Sequence, residues 1–373
     1  MKVLIRQFLG QWHSWSVVGW NLAKILKKNH EVHLFATDGI KYLPSDLKKN
    51  VIGYTELDKP AIYGRKPDKS YDCQISYTCM KNFPALLGNG NKNRIGIWTY
   101  EWAGKNVLPN GFAKHYASCD ALCAPSQFSK QIFLDSGIPE DRITVIPHGI
   151  NVDEYKQTTV IKLPTTKKFK ILANIAQNHI RKNIPGLLEA YGKAFNNKDD
   201  VTLILKVKDK PAANQFDISV RTCLHNFYEK FPQHAEVKLF SEFVDDISSL
   251  YRSVDAVFTM AHCEGFYFPG LEAIASGKLA IAPNWGGQLD FLNESNSLLV
   301  SGKEGRANPK SMYWESKPNA IWFEPSTDDA AEKLKFAYEN YEKLNESIDK
   351  QKSDVYTKYS WDAVVSQFLN LCK

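Results

Sequence analysis

The sequence predicts an α/β protein of two successive domains, each a parallel sheet whose strands alternate with helices. Three features lead there. Short apolar segments of strand length alternate with helical segments through the first 151 residues, the pattern of βαβ units. A polar stretch without periodicity, KQTTVIKLPTTKKF at 156–169, then interrupts the alternation, and the same pattern restarts after it. Finally, His262 to Leu292 holds two strand–loop–helix units in tandem. The expected domains are residues 1–155, joined by a C-terminal helix at 356–373, and residues 165–352.

Composition agrees with a folded, water-soluble chain. The 373 residues are 43% hydrophobic and 24% charged, enough for two ordinary cores. No apolar run approaches the roughly 20 residues that span a bilayer. The opening MKVLIRQFLG reads as a strand, not a secretion signal. The seven cysteines are scattered without a Cys-x-x-Cys pair, so neither a zinc site nor a disulfide framework is expected, and a cytoplasmic location is. A net charge of +6 suits anionic substrates, an acidic membrane surface or nucleic acid without choosing among them.

In order, KVLIRQF is the first strand, and Ser14 or Ser16 is placed to cap a helix from Val17 to Lys28. HEVHLFAT is the second strand. The turn between them lacks Gly-x-Gly-x-x-Gly, so it is no dinucleotide fingerprint. Gly10 with Trp12, His13 and Trp15 forms an aromatic–polar loop at a strand's carboxyl end. It reads equally as ligand-facing surface or as a lid over the core. Residues 45–70 read as irregular. DCQISYT and RIGIWTYEW are core strands, FAKHYASC a helix, DALCAPS a short strand, QFSKQIFLDSG a helix closed by Gly137, and RITVIPHGIN the last strand of this half. FKILANIA, the helix IPGLLEAYGKAF and the strand VTLILKV begin the second half. Residues 302–320 read as an irregular insertion, 328–350 as helix, and WDAVVSQFLNLC as a closing amphipathic helix.

Chemistry concentrates in HCEGFYFPGLEAIASGKLAIAPNWGGQLDFL. After the strand DAVFTM, the loop around Gly265 leads into a helix started by Pro269 and stopped by Gly277. Proline suits the first helical position and glycine the left-handed cap. Gly286 and Gly287 open a second short helix. Helix N-termini at strand ends are where an α/β sheet holds an anion. Glu264 stands on the loop and Glu272, eight positions on, in the first helical turn. Glu272 is placed to accept hydrogen bonds from a ribose diol, and Glu264 to meet sugar hydroxyls or reaction-centre charge.

EGFYFPGLEAIASG resembles the Glu-Gly-Phe-Gly-x-Pro-x-Leu-Glu-Ala-x-Ala-x-Gly signature of retaining, nucleotide-sugar-dependent glycosyltransferases of the GT-B fold, the group 1 or family four enzymes. The likeness extends through APSQFSKQIFLDSGIPEDRITVIPHGIN, RKNIPGLLEAY, and NWGGQLDFL with NSLLV, covering most of residues 95–300. It implies two Rossmann-like domains facing a cleft, with the acceptor on the N-terminal domain, the donor on the C-terminal one, and the final helix crossing back. It implies that Glu272 binds the donor ribose and that Glu264 lies beside the donor sugar. The backbone of Gly265, Phe266, Tyr267 and Phe268 would hold sugar and phosphates, Lys182 the diphosphate, and His148, Gly149 and Asn151 the hinge.

Three departures alter the carry-over. The family's arginine, about five residues before the lysine, is here Gln177, which leaves Arg181 to supply a second cation. A family histidine beside the sugar is missing, and Glu101 in WTYEWAGKNVLP either replaces it or binds acceptor. The family's N-terminal Gly-Gly loop is reduced to Gly10. The resemblance implies hexosyl or pentosyl transfer from a nucleoside diphosphate sugar, with retention, to an acceptor hydroxyl. It requires no cofactor and no essential metal. The expected acceptor is a saccharide or lipid-linked glycan, with the enzyme resting peripherally on an anionic membrane surface. Rival readings are transfer to a modified nucleic-acid base, a GT-B sugar-nucleotide epimerase, and a catalytically silent sugar-nucleotide-binding protein.

Overall fold

Two parallel sheets, each flanked by helices, organise the protein in a computed structural model that describes residues 1–55, 70–87, 92–208, 214–311 and 317–372. The chain divides into two compact units. The first contains Met1–Tyr100, Lys105–Ile150 and Lys358–Lys373, the second Glu101–Gly104 and Asn151–Thr357. The first unit therefore ends at Ile150, before the polar stretch at 156–169, and four residues from the middle of the first half belong to the second unit.

In the first unit the elements are β1 (Lys2–Gln7), α1 (Ser14–Leu26), β2 (Glu31–Ala36), β3 (Val51–Tyr54), β4 (Cys73–Tyr77), α2 (Phe83–Leu86), β5 (Arg94–Ile97), β6 (Ala121–Ala124), α3 (Gln127–Asp135) and β7 (Ile143–Val145). The parallel sheet runs β3-β2-β1-β4-β5-β6-β7, so its order reverses between β1 and β4. β4 and most of β1 are buried, as strands covered on both faces must be. Each large aliphatic side chain so removed from water contributes about 1.5–3 kcal/mol.

Local caps differ from expectation. α1 begins at Ser14, and its cap is neither serine but His13, whose Nδ1 accepts from the Trp15 N–H at 3.2 Å. FAKHYASC forms a 3₁₀ turn at Ala113–Ser118 instead of a helix. Of the stretch expected to be irregular, 45–50 is a 3₁₀ turn and 51–54 is β3, while 56–69 lies outside the described residues. α3 starts as read, with Ser126 Oγ accepting from Ser129 N–H at 3.1 Å, and Gly137 follows it at φ 84°.

The second unit holds α4 (Val152–Tyr155), β8 (Phe169–Ala176), α5 (Ile184–Ala194), β9 (Val201–Val207), α6 (Val220–Lys230), β10 (Glu236–Phe240), α7 (Ile247–Arg252), β11 (Ala256–Phe258), α8 (Phe268–Ala275), β12 (Leu279–Pro283), β13 (Ser297–Val300), β14 (Gly302–Arg306) and β15 (Ile321–Pro325). Its parallel sheet runs β10-β9-β8-β11-β12-β13, reversing between β8 and β11. β14 and β15 pair antiparallel, so the expected irregular insertion opens with a strand; residues 312–316 within it lie outside the described residues.

α9 (Thr327–Tyr359) is interrupted at Asn340, whose φ of −122° and ψ of 19° are not helical, and α10 (Trp361–Asn370) follows. α10 belongs to the first unit and meets α1 there, Lys28 Nζ lying 3.1 Å from Asp362 Oδ1. Contrary to the cysteine reading, Cys73 and Cys372 form a disulfide that fastens the end of the chain to β4, their Cα atoms 5.9 Å apart. Among the described residues no helix is long and apolar enough to cross a membrane.

Candidate active site

The point where strand order reverses is where an open α/β sheet accepts a ligand, because loops from neighbouring strand ends part there in opposite directions. In the second unit that point lies between β8 and β11. The loop after β8 carries Gln177, Arg181 and Lys182, and the loop after β11 carries Glu264.

Four of the predicted residues come together at this place. Lys182 Nζ lies against Glu264 Oε1. Arg181 Nη1 stands 3.2 Å from Glu264 Oε2, and its Nη2 3.5 Å from Glu101 Oε1. Glu264 is buried; Glu101 and Lys182 are partly buried. Two cations thus face two carboxylates. Burial works to raise the Glu264 carboxyl, but Lys182 and Arg181 outweigh it and hold the group below its ordinary value. For Glu101 burial prevails: its carboxyl is raised, against the pull of Arg181 and with the help of Glu264. Burial also lowers Lys182, opposed by Glu264.

The loop bearing Glu264 is shaped by glycine contacts. A Cβ on Gly287 would run into the Gly265 carbonyl, and the Gly287 N–H donates to the Glu264 carbonyl at 2.8 Å. Tyr267 occupies the left-handed region at φ 71° ahead of α8, a conformation that costs a non-glycine residue about 1 kcal/mol or more. Its buried ring closes over Gly270, where no Cβ fits. Phe266 packs against Phe268 and Phe291, with ring centroids 5.3 Å from each. α8 starts at Phe268 with Pro269 in its first turn, and Gly277 follows it at φ 68°.

Glu272 stands apart from the four-residue cluster. The phenols of Tyr251 and Tyr155 hydrogen-bond to it, which lowers its carboxyl, but burial raises it further, to a net value above the ordinary one. Asn174 Nδ2 donates to Tyr251 Oη at 2.9 Å, so a relay runs from β8 through Tyr251 to Glu272. Sequence reasoning missed both tyrosines. Tyr251 lies in α7 and Tyr155 in α4.

Two other predicted residues do not join the cluster. Gln177 follows Ala176, itself at φ 56°, and is exposed at the end of β8. Gly10 belongs to the first unit, where its backbone packs on Gly39 too closely for any Cβ. The N–H groups of Leu9, Gly10 and Gln11 all donate to the Asp38 carboxylate, at 2.7, 2.8 and 3.0 Å. Asp38, at the end of β2, thereby fixes the first loop. The hinge candidate His148 is buried in the same unit, its Nε2 3.0 Å from Tyr77 Oη, and burial pushes it down to about 3. Among the described residues no group of three or more His, Cys, Asp or Glu is arranged to hold a metal ion.

Known proteins resemble this chain along most of its length. Residues 87–154 match the family described as Glycosyltransferase Family 4. An uncharacterized glycosyltransferase of Methanocaldococcus jannaschii is 24% identical over 314 residues, covering 80% of this chain and 71% of that protein. A glycosyltransferase structure from Rickettsia africae superposes with a TM-score of 0.71 at 18% identity, covering 100% of this chain and 98% of that one. HepE of Anabaena, solved with UDP-glucose, superposes with a TM-score of 0.68 at 16% identity, covering 99% and 98%. With a reversal in each parallel sheet, these likenesses show the GT-B fold, and the proteins the chain resembles along most of its length are glycosyltransferases.

Proposed function

We propose that this protein moves a hexose or pentose from a nucleoside diphosphate sugar to an acceptor hydroxyl with retention of anomeric configuration, the acceptor being a saccharide or lipid-linked glycan. The observation that carries the reading is Lys182 meeting Glu264 where the strand order of the second sheet reverses. Lys182 takes the diphosphate, where a fixed cation offsets the charge that builds as the nucleoside diphosphate departs. Glu264 orients the donor sugar, the backbone of Gly265–Phe268 lines it, and Glu272 accepts from the ribose. The acceptor attacks from the face the diphosphate leaves, and a phosphate oxygen takes its proton. The C–O bond to the diphosphate breaks as the new glycosidic bond forms. Such a reaction asks the protein chiefly for positioning and charge. In this reading the cation at the leaving group is a side chain, so turnover persists in EDTA. The HepE structure with UDP-glucose supports a nucleotide-sugar donor, and the net charge of +6 is compatible with an anionic substrate or surface.

Thermal unfolding with UDP-, GDP-, ADP- and TDP-sugars tests the reading, since a ligand of the native state raises the melting temperature by mass action. One nucleotide class stabilising the wild type but not Glu272→Ala is the expected result. Stabilisation by none of them would refute the donor assignment.

A further inference from the structure

Arg181 holds three successive residues of the loop after β11. Its carbonyl accepts from the His262 N–H at 2.8 Å, its Nη1 donates to the Cys263 carbonyl at 3.0 Å, and the same Nη1 pairs with Glu264 at 3.2 Å. Its remaining edge faces Glu101. Glu101 arrives on a segment fastened to β15: Ala103 and Ile321 exchange backbone hydrogen bonds of 3.0 and 2.8 Å, and Trp102 Nε1 donates to Ser311 Oγ at 3.3 Å. Two residues further along β15, the Phe323 N–H donates to the His262 carbonyl at 2.9 Å, and His262 Nδ1 lies 2.7 Å from the Phe323 carbonyl. One strand therefore aligns both the segment that brings Glu101 and the loop that carries Glu264, and Arg181 spans the interval.

We propose that Glu101 and Arg181 are a positioning pair: Arg181 fixes the loop bearing Glu264, Glu101 fixes Arg181, and Lys182 alone meets the donor's diphosphate. Two adjacent cations sharing a single carboxylate would compete for it. Glu101 gives Arg181 its own counter-charge and leaves the second oxygen of Glu264 to Lys182. The planar guanidinium suits this, because its donors diverge in fixed directions and its charge does not titrate away. The role of Arg181 is thus set apart from that of a phosphate ligand, and Glu101 from that of a group touching substrate. The inference rests on the donor reading above for its last clause only.

Two measurements on the full chain separate the outcomes. Hydrogen exchange of residues 261–268 without ligand is expected to quicken about tenfold in Arg181→Gln and Glu101→Gln. It should quicken no further in the double variant, and should stay unchanged in Lys182→Ala. Calorimetric titration with UDP, GDP, ADP and TDP should show affinity within about threefold of wild type in Arg181→Gln and Glu101→Gln, but at least about tenfold weaker in Lys182→Ala. Turnover of the matching glucose conjugate should fall about tenfold in both pair variants, with partial rescue in Glu101→Asp. Unchanged exchange would overturn the positioning role. Nucleotide affinity lost as fully in Arg181→Gln as in Lys182→Ala would make Arg181 a phosphate ligand. If Arg181→Gln does not fold, the Glu101 variants decide. If wild type binds none of the four nucleotides, the donor reading fails while the exchange result still judges the pair.

Discussion

Lys182 and Arg181, adjacent in sequence, take opposite oxygens of the Glu264 carboxylate, Arg181 at 3.2 Å. Truncating Lys182 to alanine removes the proposed leaving-group cation and leaves Glu264 with one partner. Turnover should drop about 100-fold, the usual scale for losing one electrostatic contact to developing charge. Steady-state kinetics with the donor identified by thermal shift checks this. A variant as active as wild type would place the diphosphate elsewhere.

Glu272 receives the phenols of Tyr251 and Tyr155. In Glu272→Ala both hydroxyls lose their acceptor at a cost of about 1–3 kcal/mol, so the melting temperature falls even without ligand. Glu272→Gln keeps an acceptor oxygen and should cost less. Calorimetric scans of the two variants separate structural loss from loss of donor binding.

His148 supplies a pH signature. Burial pushes its pKa down to about 3 from an ordinary value of 6.5, so the unfolded chain binds the proton over a range in which the fold does not. Its contribution is complete above the unfolded value and is lost as pH falls from 6.5 toward 3. Melting temperature should decline over that window, and His148→Gln, which cannot charge, should flatten part of the decline. Parallel profiles for the two proteins would contradict the assignment.

Gly287→Ala sets a methyl against the Gly265 carbonyl. Backbone must move, at a cost of about 1–3 kcal/mol, and the displaced loop is the one bearing Glu264. The variant should fold with a lower melting temperature and lose nucleotide-sugar binding, as titration would show.

What the sequence disclosed follows the range of the interactions. Pro269 and Gly277 act on their own backbone, and the helix between them was legible to within a residue, whereas Gly286–Gly287 opens a 3₁₀ turn at Gly287–Asp290 in place of the expected second helix. The disulfide was not legible, because Cys73 and Cys372 stand 299 residues apart. β14 was hidden for another reason: GKEGR is almost wholly exposed and shows no apolar alternation, and pairing with β15 alone makes it a strand. Glu101 read as part of the first half because its neighbours in sequence do belong there. The bridge from Ala103 to Ile321, with Trp102 bonded to Ser311, carries it beside Arg181.

The main chain leaves the first unit at Ile150 and re-enters it at Lys358. Those two points are neighbours: the Ile150 N–H donates to the Tyr359 carbonyl at 2.7 Å, and the Trp361 N–H to the Ile150 carbonyl at 3.2 Å. Apart from Glu101–Gly104, the second unit is, in genetic terms, an insertion into one connection of the first, at a seam that excision can heal. Deleting 151–357 across a short glycine–serine joint should yield a body that melts cooperatively. Cutting the chain before Lys358 should cripple that same body by stripping α10 from α1, although the residues removed are the most remote from it in sequence.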